Sequence, residues 1–91
     1  MPNPIRHAAD RSRFESSVDG HLCRADYLLA DGVMELTHTE VAAAVEGRGV
    51  GGELIEAALD HARAQGLKVR PLCSFARRYM DDHPETAALR A

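Results

Sequence analysis

Three places in the chain hold residues whose types and spacing could do chemistry. Glu46-Gly47-Arg48-Gly49-Val50-Gly51-Gly52 places four glycines among seven residues. A glycine has no Cβ, so an anion can approach its backbone closely. If a helix opens here, its first N–H groups lack partners and carry a partial positive charge. Backbone and Arg48 together would then hold a phosphate. Upstream, His38 and Glu40 stand two apart, so on a strand they share a face. An imidazole is the usual side chain for accepting a proton near neutral pH, which suits His38 to act as a base. Glu40 could do so with a raised pKa or through a relaying water. Downstream lie Cys73, Ser74 and Tyr79. Cys73 falls between a strand candidate and a helix candidate, where a helix N-terminus favours a thiolate. It is either a nucleophile activated by His38 or a small residue lining a pocket. Each place also has a plainer reading: a loop that only turns the chain, polar residues on an exposed strand, a tyrosine that anchors its helix.

The elements that must position these residues follow from periodicity. From Glu53 to Gln65 there is no glycine or proline, and Ile55 is the sole β-branched residue. Gly51, Leu54, Ile55, Ala58 and Ala62 form one stripe at helical spacing. Gly66 stands where a left-handed residue ends a helix, with Leu67 folding back. Val33–Val41 precedes the glycines with strand character, and Leu67–Cys73 follows the helix as another strand. The unit is strand, glycine loop, helix, strand. Its two strands should lie parallel and adjacent, joined by a right-handed crossover. Pro71 lacks an N–H, which marks an edge or a bulge.

Upstream, Arg13–Val18 and His21–Leu29 read as strands joined by Asp19-Gly20, a strong hairpin turn. Alternation directs Cys23, Ala25, Tyr27 and Leu29 to one face, Cys23 and Tyr27 inward. Ala30-Asp31-Gly32 turns the chain again, completing an antiparallel meander. Residues from Met1 to about Ser12 read as a mobile start. Val41–Val45 reads as an irregular loop over a ligand. Ser74 can cap a helix running from Phe75 to about Asp82, with Phe75, Ala76, Tyr79 and Met80 as its apolar stripe. His83-Pro84 stops it, and Glu85–Ala91 forms a weak turn or frays. The expected fold is α/β: a mixed, mostly antiparallel sheet of about four strands with one β-α-β unit, in a single domain spanning 1–91.

The glycine loop excludes two common phosphate motifs. Gly52 is followed by Glu53, not by Lys-Ser or Lys-Thr, and the glycines miss the Gly-x-Gly-x-x-Gly spacing. It resembles the Arg/Gln-x-x-Gly-x-Gly/Ala signature of the Gcn5-related N-acetyltransferases, here Glu46-Gly47-Arg48-Gly49-Val50-Gly51. Thr39-Glu40-Val41 sits where that family's central strand ends. Cys73-Ser74-Phe75-Ala76-Arg77-Arg78-Tyr79 resembles its next strand end and helix. Phe14, Val18-Asp19-Gly20 and His83-Pro84 extend the likeness over nearly the whole chain, in the manner of the family's minimal single-domain branch. Glu46 departs from the pattern by placing an acid where Arg or Gln is usual.

The resemblance implies acetyl-CoA as cosubstrate and an amine as acetyl acceptor. It implies that Val41, Glu46, Gly47, Arg48, Gly49, Val50, Gly51, Gly52 and Ser74 hold the cosubstrate, mainly through backbone N–H groups. A backbone N–H near Glu40–Val41 would polarise the thioester carbonyl. Tyr79 matches the tyrosine that protonates the departing thiolate in many members, and the two parallel strands should splay to admit the pantetheine arm. His38, Glu40, Cys73 and Tyr79 are thus the catalytic candidates. The family's usual N-terminal helices have no counterpart around Asp10–Arg13. The acceptor groove is then either open or completed by a second copy, as a homodimer. Glu46 and the short chain support a rival reading, a CoA-binding or partner-binding module without catalysis. A further alternative is a different phosphate ligand.

Composition sets the remaining bounds. Ninety-one residues leave room for one domain. A chain of this size buries only about 60% of its unfolded surface, and with two Phe, two Tyr and no Trp the core must rely on small aliphatics. The net charge of −3 offers no footprint for nucleic acid. No apolar run approaches the roughly 20 residues of a membrane span, and the first residues lack a signal peptide's apolar core. A cytoplasmic location is expected, with Cys23 and Cys73 as free thiols. No Cys/His spacing suggests a metal site.

Overall fold

The computed structural model describes residues 4–91. Five strands follow one another across a single sheet in chain order: β1 (Arg6–Ala8), β2 (Arg13–Val18), β3 (His21–Ala30), β4 (Val33–Glu40) and β5 (Lys68–Pro71). The first three pairings are antiparallel and β4–β5 is parallel. Asp19 and Gly20 both hold positive φ, 49° and 79°, so their turn twists with the strands it joins. The parallel pair needs a crossover instead, and helix α1 (Val50–Gln65) supplies it. Helix α2 (Ser74–Asp82) follows β5.

The edge strand β1 corrects the reading of the N-terminal stretch as a mobile start, although Met1–Asn3 lie outside the described residues. Its anchor is side-chain chemistry. Arg6 pairs with the buried Glu15 of β2, joined there by Arg11 and Arg13. His7 stacks on Phe14 at 4.3 Å and reaches the Tyr27 hydroxyl at 2.5 Å. The C-terminus also differs from expectation. Pro84–Leu89 forms a 3-10 helix, and Arg90 then bridges in parallel to Val69 on the free side of β5. Pro71 is the last residue of β5, where a missing N–H costs the ladder least.

The core lies between the sheet and the helices. Leu54, Ile55, Ala58, Leu59 and Ala62 present one buried stripe of α1. It packs against Phe14, Cys23, Ala25, Tyr27, Met34, Leu36 and Val69 from the strands, while α2 adds Ala76 and Met80. Gly66 closes α1, and the Leu67 N–H reaches back to the Ala62 carbonyl at 2.8 Å. Leu29, expected inward with Tyr27, is 57% exposed because it lies near the hairpin end, beyond the cover of the helices. Among the described residues no helix is long and apolar enough to cross a membrane.

One irregularity in the sheet decides the placement of the candidate base. Asp26 pairs with His38, but the next residue, Tyr27, pairs with Leu36. Thr37 is therefore an extra residue in β4, a β-bulge. Its hydroxyl donates to the Asp26 carbonyl at 3.3 Å. Before the bulge the even-numbered Met34 and Leu36 point into the core. After it Thr39 pairs with the fully buried Ala25, and His38 and Glu40 turn to the opposite face with Asp26 and Arg24. One inserted residue inverts the parity of a strand.

Candidate functional site

The cavity at the glycine loop has a volume of about 600 Å³, within the range that holds a drug-sized ligand. Its floor is the start of α1: Val50, Gly51 and Gly52 all line it. The first hydrogen bond of the helix runs from the Glu53 N–H to the Gly49 carbonyl at 3.1 Å. The three amides before Glu53 have no acceptor inside the helix. Gly49, the N-cap residue, has no side chain to offer one. A helix start of this kind, opening on a cavity, fits an anion. Gly47 and Gly49 hold φ of 83° and 79°, which folds the loop over the helix end.

The far wall comes from the end of β4. His38, Thr39, Glu40 and Val41 line it, followed by Glu46 and Gly47 across the mouth. Ala43–Val45 between them form a 3-10 turn that buries Val45, in place of the irregular loop expected. The wall stands clear because β4 and β5 part. Their pairing ends at Leu36–Pro71, and the Leu72 and Cys73 amides both donate to the Leu36 carbonyl at 3.0 Å. Beyond that point β4 runs on to Glu40 while the other chain turns into α2. The gap beyond is bridged by Thr39 and Cys73, and the cavity lies between the end of β4, the glycine loop and Phe75.

His38 and Glu40 are brought together: Nε2 of His38 lies 3.3 Å from Oε1 of Glu40. Arg24 donates to the other oxygen of Glu40 at 3.2 Å and to Asp26 at 3.2 Å. A chain of contacts thus runs Asp26–Arg24–Glu40–His38 along the sheet and ends at the cavity. Arg24 and Asp26 are residues that sequence reasoning missed. Only the cross-strand register could have found them.

Cys73 does not line the cavity. Its Sγ lies 3.4 Å from Thr39 Oγ1 and accepts from the Ala76 amide at 3.4 Å. Cys73 is therefore the cap of α2, and Ser74, expected as the cap, is the exposed first residue of the helix. Sulfur can take this part because Cys73, not Ser74, holds the extended backbone that an N-cap needs. Ser74 does not line the cavity either. Phe75 does, 43% exposed where a buried stripe residue was expected. A Cβ on Gly51 would lie 2.5 Å from its Cζ. Its signal in the sequence was an aromatic placed two residues past the strand end.

Two further candidates do not line the cavity, although the Tyr79 ring lies behind its floor, 3.6 Å from where a Cβ on Gly52 would be. Arg48 is turned outward, its Nη1 2.6 Å from Oδ2 of Asp19. Tyr79 stacks on His83 at 3.9 Å and lines a separate hollow with Glu56, Asp60 and Glu85. Burial first, then the Glu56, Glu85 and Asp60 carboxylates, raise its hydroxyl pKa above the ordinary 10.0. Among the described residues no group of three or more His, Cys, Asp or Glu is placed to hold a metal ion.

The mixed five-stranded sheet with its β-α-β unit defines an α/β domain, and comparison gives it a family. The family model described as GCN5-related N-acetyl-transferase matches residues 13–89. The chain belongs to that family. Protein NATD1 of Mus musculus is 34% identical over 86 residues, covering 89% of this chain and 78% of the mouse protein. Protein NATD1 of Homo sapiens is 33% identical, covering 89% and 76%. Among solved structures, a GCN5-like protein from Staphylococcus aureus, determined by NMR, superposes with a TM-score of 0.78 at 27% identity, over 100% of this chain and 91% of that one.

Proposed function

We propose that this chain binds acetyl-CoA in the glycine-loop cavity and transfers the acetyl group to an amine. The observation that carries the reading is the start of α1, whose first three residues precede the first helix hydrogen bond and line the cavity. Their amides would hold the diphosphate. The part of the cavity between His38–Val41 and Phe75 would take the pantetheine arm. Amine attack on the thioester carbonyl forms the C–N bond and breaks the C–S bond. The amine gives up a proton, and the leaving thiolate takes one. His38, in contact with a Glu40 that Arg24 also holds, would receive the amine proton. Cys73, engaged with Thr39 and the α2 amide, has a structural part that direct transfer does not need to alter. Tyr79, whose ring a Cβ on Gly52 would meet at 3.6 Å, is the candidate proton donor to the leaving thiolate.

The rival reading, CoA binding without turnover, draws support from Glu46. This carboxylate lines the mouth, and an acid beside a diphosphate weakens binding. One experiment separates the two. Calorimetric titration with acetyl-CoA, CoA and ATP, followed by thiol release over a panel of amines, should show binding of both CoA species, none of ATP, and acetyl-CoA consumption with at least one amine. Binding without consumption selects the rival. Binding of ATP but not CoA rejects both.

A further inference from the structure

The glycine loop carries its own cation, Arg48, and the fold holds that cation away from the cavity. Arg48 stands between Gly47 and Gly49, both in left-handed backbone. Its guanidinium pairs at 2.6 Å with Asp19, which belongs to the β2–β3 turn 29 residues earlier. Both side chains are more than half exposed, at 51% and 65%. The charged side chains on the cavity wall are meanwhile Glu40 and Glu46, with no Arg or Lys among the described lining residues. The nearby Arg24 is committed to Asp26 and Glu40.

We propose that Asp19 competes with the ligand's diphosphate for Arg48, so that the β2–β3 turn sets how tightly the glycine loop holds an anionic ligand. The inference rests on the reading of the cavity as a CoA site and adds a determinant of affinity remote from it in sequence. An exposed ion pair is weak and easily exchanged. A diphosphate offers Arg48 a stronger, bidentate acceptor whose charge the helix amides already share. Asp19 sits on a short side chain in a tight turn, so the exchange falls to the longer, half-exposed arginine side chain.

The test is CoA affinity by calorimetry for the wild type, Asp19→Asn, Arg48→Gln and the double variant. Asparagine accepts the left-handed backbone of position 19, so the turn is kept. Asp19→Asn should tighten CoA binding by about 2–5-fold, the worth of an exposed pair. Arg48→Gln should weaken it by about 5-fold or more, the loss of a charge-assisted hydrogen bond. In the Arg48→Gln background the Asp19→Asn gain should vanish. An equal gain in both backgrounds would show that Asp19 acts only as a background charge and would overturn the proposal. So would an Arg48→Gln variant that binds CoA like the wild type. A wild type that takes up no CoA removes the parent reading and this one with it, whereas wild-type binding with a flat cycle sinks this one alone.

Discussion

The ring of Phe75 closes over Gly51 so nearly that a methyl in place of the glycine hydrogen would lie 2.5 Å from Cζ. The contact ties the start of α2 to the start of α1 on the cavity floor. Alanine at position 51 would push the ring aside. Because the ring is 43% exposed and meets the methyl with its far end, it can move at little cost to the core. Alanine also favours the helix by up to about 1 kcal/mol over glycine. Gly51→Ala should therefore leave the urea midpoint close to wild type while CoA affinity falls about tenfold, roughly 1.4 kcal/mol. Adding Phe75→Ala should restore part of it. Unchanged affinity in Gly51→Ala would mean that the ring has room elsewhere.

Thr39 and Cys73 meet at 3.4 Å where the strands part, and the same sulfur caps α2. Cys73→Ala should lose the cap, about 1 kcal/mol by analogy with side-chain oxygen caps. Cys73→Ser should keep most of it. If transfer is direct, both variants retain turnover with the best amine. Loss of turnover in both variants, together with an acetyl group detected on Cys73 by mass spectrometry after mixing with acetyl-CoA, would establish an acetyl-cysteine intermediate instead.

The Arg24–Glu40–His38 chain predicts a split between binding and chemistry. His38→Gln should reduce kcat by about 100-fold, the lower range for a general base. CoA affinity should stay within a factor of about two, because the diphosphate amides are untouched. Arg24→Gln frees Glu40 and should lower kcat less. A His38→Gln variant that keeps both CoA affinity and wild-type kcat would remove His38 as the base.

Stability should depend on acid in two separate windows. Arg6 first, then Arg13 and Arg11, hold the Glu15 carboxyl down to about 2 from its ordinary 4.5. The unfolded chain binds that proton more readily, so this stabilisation is full above pH 4.5 and lost as pH falls toward 2. Burial first, then His61, lower the His7 pKa from 6.5. The unfolded chain again protonates first, so a second part is lost as pH falls below 6.5. Urea midpoints measured from pH 8 to 2.5 should drop in both windows. His7→Phe, which keeps the stack on Phe14, should flatten the upper one. Glu15→Gln, less stable throughout, should flatten the lower one. A His7→Phe profile parallel to wild type would show that β1 does not bury that ring in solution.

What the sequence determined by itself is the set of local patterns. The 3.6-residue stripe from Gly51 to Ala62 and the stop at Gly66 located α1, and Asp19-Gly20 located the hairpin, because each signal lies within a few residues of its effect. The glycine start of α1 was legible for the same reason, and with it most of the cavity floor. Only the tertiary structure decided which side chains meet across the sheet. The extra residue at Thr37 turned His38 and Glu40 to the face where Arg24 waits, a parity that no count along β4 alone reveals. Cys73 became a cap beside Thr39, 34 residues away, and Arg48 was drawn off to Asp19, 29 residues away. Arg6–Ala8 became a strand through Glu15, His7 and Tyr27. Periodicity and turn chemistry act between neighbours, whereas these contacts depend on register and packing, which exist only once distant segments are in place.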